Sequence, residues 1–212
     1  MNYCFIVIDN CKQKVYSLAG LISKKAEDYK TSERTIEVGG FYGFTKDNAE
    51  NEFDTIIEGS LFSAISSKIN SVDCMCFIVD LFLKESEEKS LNTSLELYYN
   101  DTGNKSRTAS GIELANRILE KYVNQRHKID ITFMTRWYDY QIKEIESYNG
   151  LKDHPTLWEG KKRKCFYNPV DSNGQINNKV FVKAKDGAKD RFEYMYNNVF
   201  DIIRKEAAEE DG

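Results

Sequence analysis

The amino-acid sequence predicts an α/β fold, a three-layer sandwich in which helices cover both faces of a five-stranded parallel sheet. Two observations support this class. Short apolar runs without polar alternation recur along the 212-residue chain, and such runs are typical of strands buried on both faces. Segments with helical periodicity separate these runs, and alternating strands and helices predict a parallel sheet between helical layers.

Four of the predicted strands have a polar residue directly after them. They are the strands 3–8, 74–79, 129–134 and 179–182, followed by Asp9, Asp80, Thr135 and Lys183. The carboxyl ends of parallel strands meet at one edge of the sheet, where α/β proteins bind their ligands. We therefore expect these four side chains to lie together at that edge.

The remaining elements continue the alternation of strands and helices. A second strand is predicted over 34–44, where β-branched and aromatic residues are interrupted by glycines. Apolar residues at helical spacing predict helices at 15–26, 61–69, 112–122 and 192–203, with further candidates at 47–58 and 138–148. Right-handed crossovers between five strands give the order 2-1-3-4-5, the flavodoxin-like sandwich.

A single domain is expected over residues 1–205. Two polar stretches, near 84–108 and 149–178, interrupt the pattern of strands and helices, and we interpret them as insertions. The residues 171–174 in the second stretch have the composition of a hairpin turn. Residues 206–212 are rich in acids and are expected to form a frayed C-terminal tail.

Composition and charge argue against several classes of function. The net charge of −4 gives no reason to expect nucleic acid or an acidic membrane surface as a partner. The apolar run at 3–8 is too short for a signal-peptide core or a membrane span. Cys4, Cys74 and Cys76 fall inside predicted buried strands, as expected of apolar fillers and not of disulfide partners. These observations favour a cytoplasmic protein.

The polar residues at the predicted edge indicate phosphoryl-transfer chemistry. Asp9 and Asp80 follow neighbouring strands, and two carboxylates together with water can hold Mg²⁺. The metal would neutralise an incoming phosphoryl group, and Asp80 is the expected nucleophile that forms an aspartyl phosphate. Lys183 is expected to contact phosphate oxygens, and the Thr135 hydroxyl is expected to donate to another oxygen.

These residues and their surroundings resemble the response-regulator receiver domain. The matching segments follow that family's order and are Phe5-Ile-Val-Ile-Asp9-Asn10, Phe77-Ile-Val-Asp80-Leu-Phe, Ser110-Gly-Ile-Glu-Leu-Ala, Thr132-Phe-Met-Thr135 and Val180-Phe-Val-Lys183. The resemblance implies a phosphorylation-controlled signalling domain with Mg²⁺ held by Asp9, Asn10 and Asp80. It also implies a histidine kinase or phosphotransfer protein as phosphate donor. We expect a stand-alone domain that acts on a separate output protein.

The chain also departs from that family's pattern, and the departures leave alternatives open. Asn10 and Cys11 follow Asp9 where the family usually has further acids, so metal affinity is expected to fall. Ala184 follows Lys183 in place of the family's usual proline. One alternative is a degenerate pseudo-receiver that serves as a phosphorylation-independent protein-binding adaptor. Another is a phosphohydrolase of the haloacid-dehalogenase type, although Cys11 stands where that family has a second acid. A homodimer is left open.

Overall fold

A central parallel sheet organises the chain. A computed structural model describes residues 1–42, 57–81, 83, 110–135, 165–171, 173–176, 181–184 and 187–210. The four full strands are β1 (Asn2–Ile8), β2 (Thr35–Phe41), β3 (Cys74–Asp80) and β4 (Ile129–Thr135), and they stand in the order β2-β1-β3-β4. Neighbouring strands are parallel throughout. The prediction of an α/β fold with a parallel sheet of order 2-1-3-4 is therefore confirmed.

Helices cover both faces of this sheet. They are α1 (Lys12–Ala26), α2 (Phe62–Lys68, after a short turn at Ile57–Leu61), α3 (Ser110–Lys121), α4 (Arg191–Val199) and α5 (Asp201–Glu210). Alternate residues of β1 point to opposite faces, as the pleat of a strand requires. Cys4 and Ile8 pack with α2 and α3, whereas Phe5 and Val7 pack with α1, α4 and α5. The three layers that the sequence predicts are present.

The predicted fifth strand is wrong. Residues 179–182 were expected to pair with β4, but β6 (Phe181–Ala184) pairs antiparallel with β7 (Gly187–Asp190) in a separate two-stranded sheet. Two residues connect β6 to β7, so local pairing needs no long crossover, whereas a parallel partner does. The segment that pairs with β4 is instead the three-residue β5 (Cys165–Tyr167). The sheet thus has four full strands and a short addition, not five full strands.

The second predicted insertion contributes this short strand and a tight turn. Val170 pairs with Ile176 across the turn, and Gly174 has a φ of 76°, which favours glycine. The Asp171 carboxylate accepts hydrogen bonds from the backbone N–H groups of Asn173 and Gln175, both at 2.8 Å. The predicted turn at 171–174 is confirmed in the residues described.

Other predictions on chain organisation have mixed outcomes. Helix α5 runs to Glu210, so the frayed tail predicted from residue 206 is wrong for 206–210, where the helix continues. The first predicted insertion, 84–108, and the helix candidate at 138–148 lie outside the described residues. Cys4, Cys74 and Cys76 are buried in the core, as expected of apolar fillers. None of the described helices is long and apolar enough to cross a membrane.

Candidate functional site

Two aspartates meet at the carboxyl edge of the sheet. β1 and β3 are paired as far as Ile8 and Val79, and the next residue after each of these is an aspartate, Asp9 after Ile8 and Asp80 after Val79. Asp9 is fully buried, and its backbone N–H donates to the carbonyl of Phe41 on β2 at 3.3 Å. The side chain of Asp80 is 13% exposed. The sequence-based prediction that these two carboxylates lie side by side agrees with this geometry.

A lysine that the sequence interpretation did not consider lies between the two acids. The Nζ atom of Lys14 is 3.4 Å from Oδ2 of Asp9 and 3.9 Å from Oδ2 of Asp80. Lys14 is only 5% exposed, which is rare for a lysine and typical of one that pairs with buried acids. One ammonium therefore faces two carboxylates at the edge where the metal was expected. We call Asp9, Lys14 and Asp80 the acid–lysine centre.

The start of α1 fixes this centre. Cys11 is the residue that caps the helix N-terminus, and its backbone N–H donates to Oδ1 of Asp9 at 2.8 Å. The N–H of Val15 closes the first helical turn on the carbonyl of Cys11 at 3.1 Å. The buried carboxylate thus accepts from a backbone donor at the positive end of the helix dipole, which stabilises its charge. Lys14 in the first turn is directed inward by the same helix.

A glycine seats α3 against the end of β3. The N–H of Gly111 donates to the carbonyl of Leu81 at 3.0 Å. A Cβ atom on Gly111 would lie 2.0 Å from the carbonyl oxygen of Asp80, a distance that no side chain tolerates. Helix α3 begins with Ser110 and Gly111, and the glycine at this position therefore has a steric reason. It brings the N-terminus of α3 against the backbone of Asp80.

Of the other predicted site residues, Thr135 and Asn10 lie at the carboxyl edge of the parallel sheet and Lys183 lies on a strand outside that sheet. Thr135 is the last residue of β4, one position beyond Met134, which pairs with Asp80, so its backbone reaches the same edge. Asn10 is half-buried in the turn between β1 and α1. Lys183 lies on β6, which is outside the parallel sheet. The expectation that Lys183 ends a strand of this sheet is therefore wrong. The side chains of Thr135 and Lys183 are outside the described part of the structure.

The sequence did contain a signal for Lys14. Lys14, Leu18 and Ile22 recur at a spacing of four, which places them on one face of a helix, and all three are buried. A lysine in phase with an apolar stripe, five residues after a strand-ending acid, predicts a buried ion pair. The apolar residues of this helix begin at Val15, so a buried face defined by apolar residues alone does not include Lys14.

An exposed aromatic pair flanks the centre. Tyr16 on α1 and Tyr42 after β2 have their hydroxyl oxygens 3.2 Å apart and their ring centroids 5.7 Å apart. The Nζ atom of Lys12 lies 5.6 and 5.4 Å from the two centroids. The hydrogen bond with Tyr16 lowers the pKa of Tyr42, and Lys12 lowers it further, whereas the same hydrogen bond raises the pKa of Tyr16. We call Lys12, Tyr16 and Tyr42 the tyrosine patch.

The donor set fits Mg²⁺ poorly. The receiver resemblance implies a metal bound by Asp9, Asn10 and Asp80, and Mg²⁺ demands oxygen ligands at about 2.0–2.1 Å in octahedral geometry. The Oδ2 atoms of both acids instead face the ammonium of Lys14, and Oδ1 of Asp9 accepts from the backbone N–H of Cys11. A metal would have to displace a buried cation to reach these oxygens.

Comparisons with known proteins add no assignment. A scan against models of protein families found no match, and searches of curated proteins and of solved structures found none either.

Proposed function

We propose that this chain is a receiver-like signalling module that acts through protein contacts without phosphorylation of Asp80. The observation that supports this function is the buried ammonium of Lys14, which faces the carboxylates of both Asp9 and Asp80. A phosphoryl group adds about −1.5 to −2 charge at pH 7 and normally relies on a divalent cation for neutralisation. Within the described residues, one lysine faces both acids, and its single positive charge is smaller than that.

The proposed fold is the flavodoxin-like one of receiver domains. Its support is the parallel order of the four full strands and the convergence of two acids where β1 and β3 end. In this proposal the edge of the sheet is held in one state by its own ion pairs. The module then serves as a protein-binding adaptor, the pseudo-receiver alternative.

The tyrosine patch is the surface that we assign to partner contacts. Tyr16 and Tyr42 are 58% and 38% exposed, and tyrosines are enriched where proteins meet because each combines a large apolar ring with a polar end. The partner in this proposal is an output protein, and a second copy of the chain is the other option. A cytoplasmic location is proposed with it, because Cys4, Cys74 and Cys76 lie in the core, where they serve as apolar fillers.

A second candidate keeps the phosphoacceptor role of Asp80. Its support is the exposure of the Asp80 side chain, 13% against 0% for Asp9, which leaves Asp80 the more accessible carboxylate at a sheet edge typical of ligand binding. In this candidate a histidine kinase or phosphotransfer protein supplies the phosphate, Mg²⁺ enters the centre, and Thr135 and Lys183 contact the phosphoryl group.

Intact-mass analysis separates the two candidates. The protein is incubated with Mg²⁺ and acetyl phosphate, and wild type is compared with Asp80→Asn. The adaptor proposal expects neither protein to gain the mass of a phosphoryl group. A gain in wild type that is absent from Asp80→Asn would contradict the proposal and establish the phosphoacceptor. Circular dichroism of both proteins controls for folding.

A further inference from the structure

We propose that the ammonium of Lys14 is a built-in replacement for a divalent cation, so that the wild-type centre excludes metal and loss of this one side chain creates a metal site. The inference deepens the proposed function, since it explains how the same centre stays fixed without phosphate. It rests on the burial of Lys14 and on the two carboxylate oxygens that its ammonium faces.

Burial makes Lys14 a fixed member of the centre. Lys14 is 5% exposed and Asp9 is fully buried, so the ion pair between them has little access to solvent. Surface lysines exchange partners freely because their side chains are long and solvated, whereas a buried ion pair persists because separation leaves uncompensated charge. The cation at this edge is therefore part of the fold.

Two of the oxygens that a metal would bind are oxygens that the lysine faces. Oδ1 of Asp9 accepts from the backbone of Cys11, while the Oδ2 atoms of Asp9 and Asp80 lie 3.4 and 3.9 Å from Nζ of Lys14. A divalent cation bound to those two Oδ2 atoms would stand within a few ångströms of the ammonium. Like charges at such a separation repel strongly, so metal and ammonium exclude one another.

The charge left behind by removal of Lys14 is what attracts the metal. The two Oδ2 atoms that faced the ammonium are carboxylate oxygens, the donors that Mg²⁺ and Mn²⁺ prefer, completed by water. A small residue at position 14 leaves space for a hydrated ion, and an apolar residue of similar length fills that space. Lys14→Ala and Lys14→Met therefore form a matched pair, because both lose the charge and only the first opens a site.

The test measures Mn²⁺ binding by thermal unfolding and by loss of the free Mn²⁺ signal in electron paramagnetic resonance. In wild type, MnCl₂ is expected to leave the Tm unchanged. In Lys14→Ala, MnCl₂ at roughly 100 times the dissociation constant is expected to raise the Tm by about 5–10 °C, and Asp80→Asn in that background is expected to abolish the rise. Lys14→Met is expected to show no rise.

Three outcomes would overturn the inference. They are Mn²⁺ binding in wild type that Asp80→Asn removes, no response in Lys14→Ala, or an equal response in Lys14→Met. If Lys14→Ala folds only with Mn²⁺ present, that result supports the inference. If it fails to fold under either condition, Lys14→Ser, which is also small and uncharged, decides: a Mn²⁺ response that Asp80→Asn abolishes supports the inference, and any other result overturns it.

The same measurements keep this inference distinct from the proposed function. A wild-type protein that binds Mn²⁺ at Asp80 but takes up no phosphate would overturn the inference alone. A wild-type protein that takes up phosphate on Asp80 but binds no Mn²⁺ would overturn the adaptor function alone, and would leave Lys14 as the cation that accompanies the phosphoryl group.

Discussion

Replacement of Lys14 by methionine should destabilise the protein far more than loss of a surface lysine. The substitution removes the charged Nζ atom and leaves an unbranched side chain one heavy atom shorter. At separations of 3.4 and 3.9 Å, the ammonium attracts the two carboxylates by about 4–5 kcal/mol each when the effective dielectric constant is ~20. Burial of the three groups offsets much of this attraction. Removal of one partner from a buried ion pair costs about 3–5 kcal/mol, and that is the expected loss.

Urea unfolding followed by circular dichroism measures this loss, and Lys68→Met is the matched control. Lys68 pairs with Glu37 on the surface, where the two side chains are 49% and 65% exposed. Solvent screens such a pair, so its loss should cost about 0–1 kcal/mol. For a chain of this size a loss of 3–5 kcal/mol lowers the Tm by roughly 6–20 °C. Equal unfolding free energies for the two variants would refute the assignment of Lys14 as a buried ion-pair partner.

A double-mutant cycle tests the cause of the loss. In an Asp9→Asn background the lysine has one charged partner fewer, so Lys14→Met should cost less than it does in the wild-type background. Coupling between contacting charged residues amounts to about 0.5–3 kcal/mol. Additive effects of Asp9→Asn and Lys14→Met would show that lost packing, and not lost charge, explains the destabilisation.

Three further predictions concern the sheet edge, a buried thiol and the tyrosine patch. Gly111→Ala should cost about 1–3 kcal/mol in urea unfolding, because its Cβ would lie 2.0 Å from the carbonyl oxygen of Asp80; a neutral change would contradict the close approach. Burial raises the pKa of Cys4 above its usual 9.0, so the stability that the neutral thiol contributes is present below about pH 9 and is lost as pH rises through the native-state pKa. Cys4→Ala should therefore flatten the fall of Tm above pH 9. An unchanged slope of Tm against pH would contradict the raised pKa. Because the hydrogen bond with Tyr16 lowers the pKa of Tyr42, absorbance titration of Tyr42→Phe should lose a phenol that ionises below 10.0; loss of one that ionises above it would contradict the assignment.

The sheet could be predicted from sequence because its signal is local. β1 and β3 are unbroken apolar runs, and an apolar run that ends on an acid marks both a buried strand and its carboxyl edge. The fifth strand of the sheet could not be predicted in this way. β5 has three residues, too few for any periodicity, whereas the segment at 179–182 has the composition of a buried strand. The Asp186-Gly187 dipeptide, a turn signal, favoured the local hairpin.

The site was predicted in part for a related reason. The positions of the two carboxylates could be predicted because each carboxylate directly follows a strand. The pattern of apolar residues indicates where those strands end and which of them are neighbours. The cation between them depends on which face of α1 a single lysine occupies. A lysine is usually solvated, so the residue type predicts exposure. Only the helical spacing that Lys14 shares with Leu18 and Ile22 predicts that it is buried. The apolar residues alone begin the stripe at Val15, so the pattern leaves Lys14 out and predicts a metal where the chain supplies its own cation.

The hydrogen bond between Leu81 and Gly111 bears on how this chain can change over evolution. The two backbones meet at 3.0 Å, although Leu81 and Gly111 are 30 positions apart in the sequence. The entropy of closing a loop rises only slowly with its length, by about 0.6 kcal/mol for each doubling. The number of residues between Leu81 and Gly111 can therefore change at little entropic cost to this contact. Insertions between them would leave the contact beside the acid–lysine centre in place.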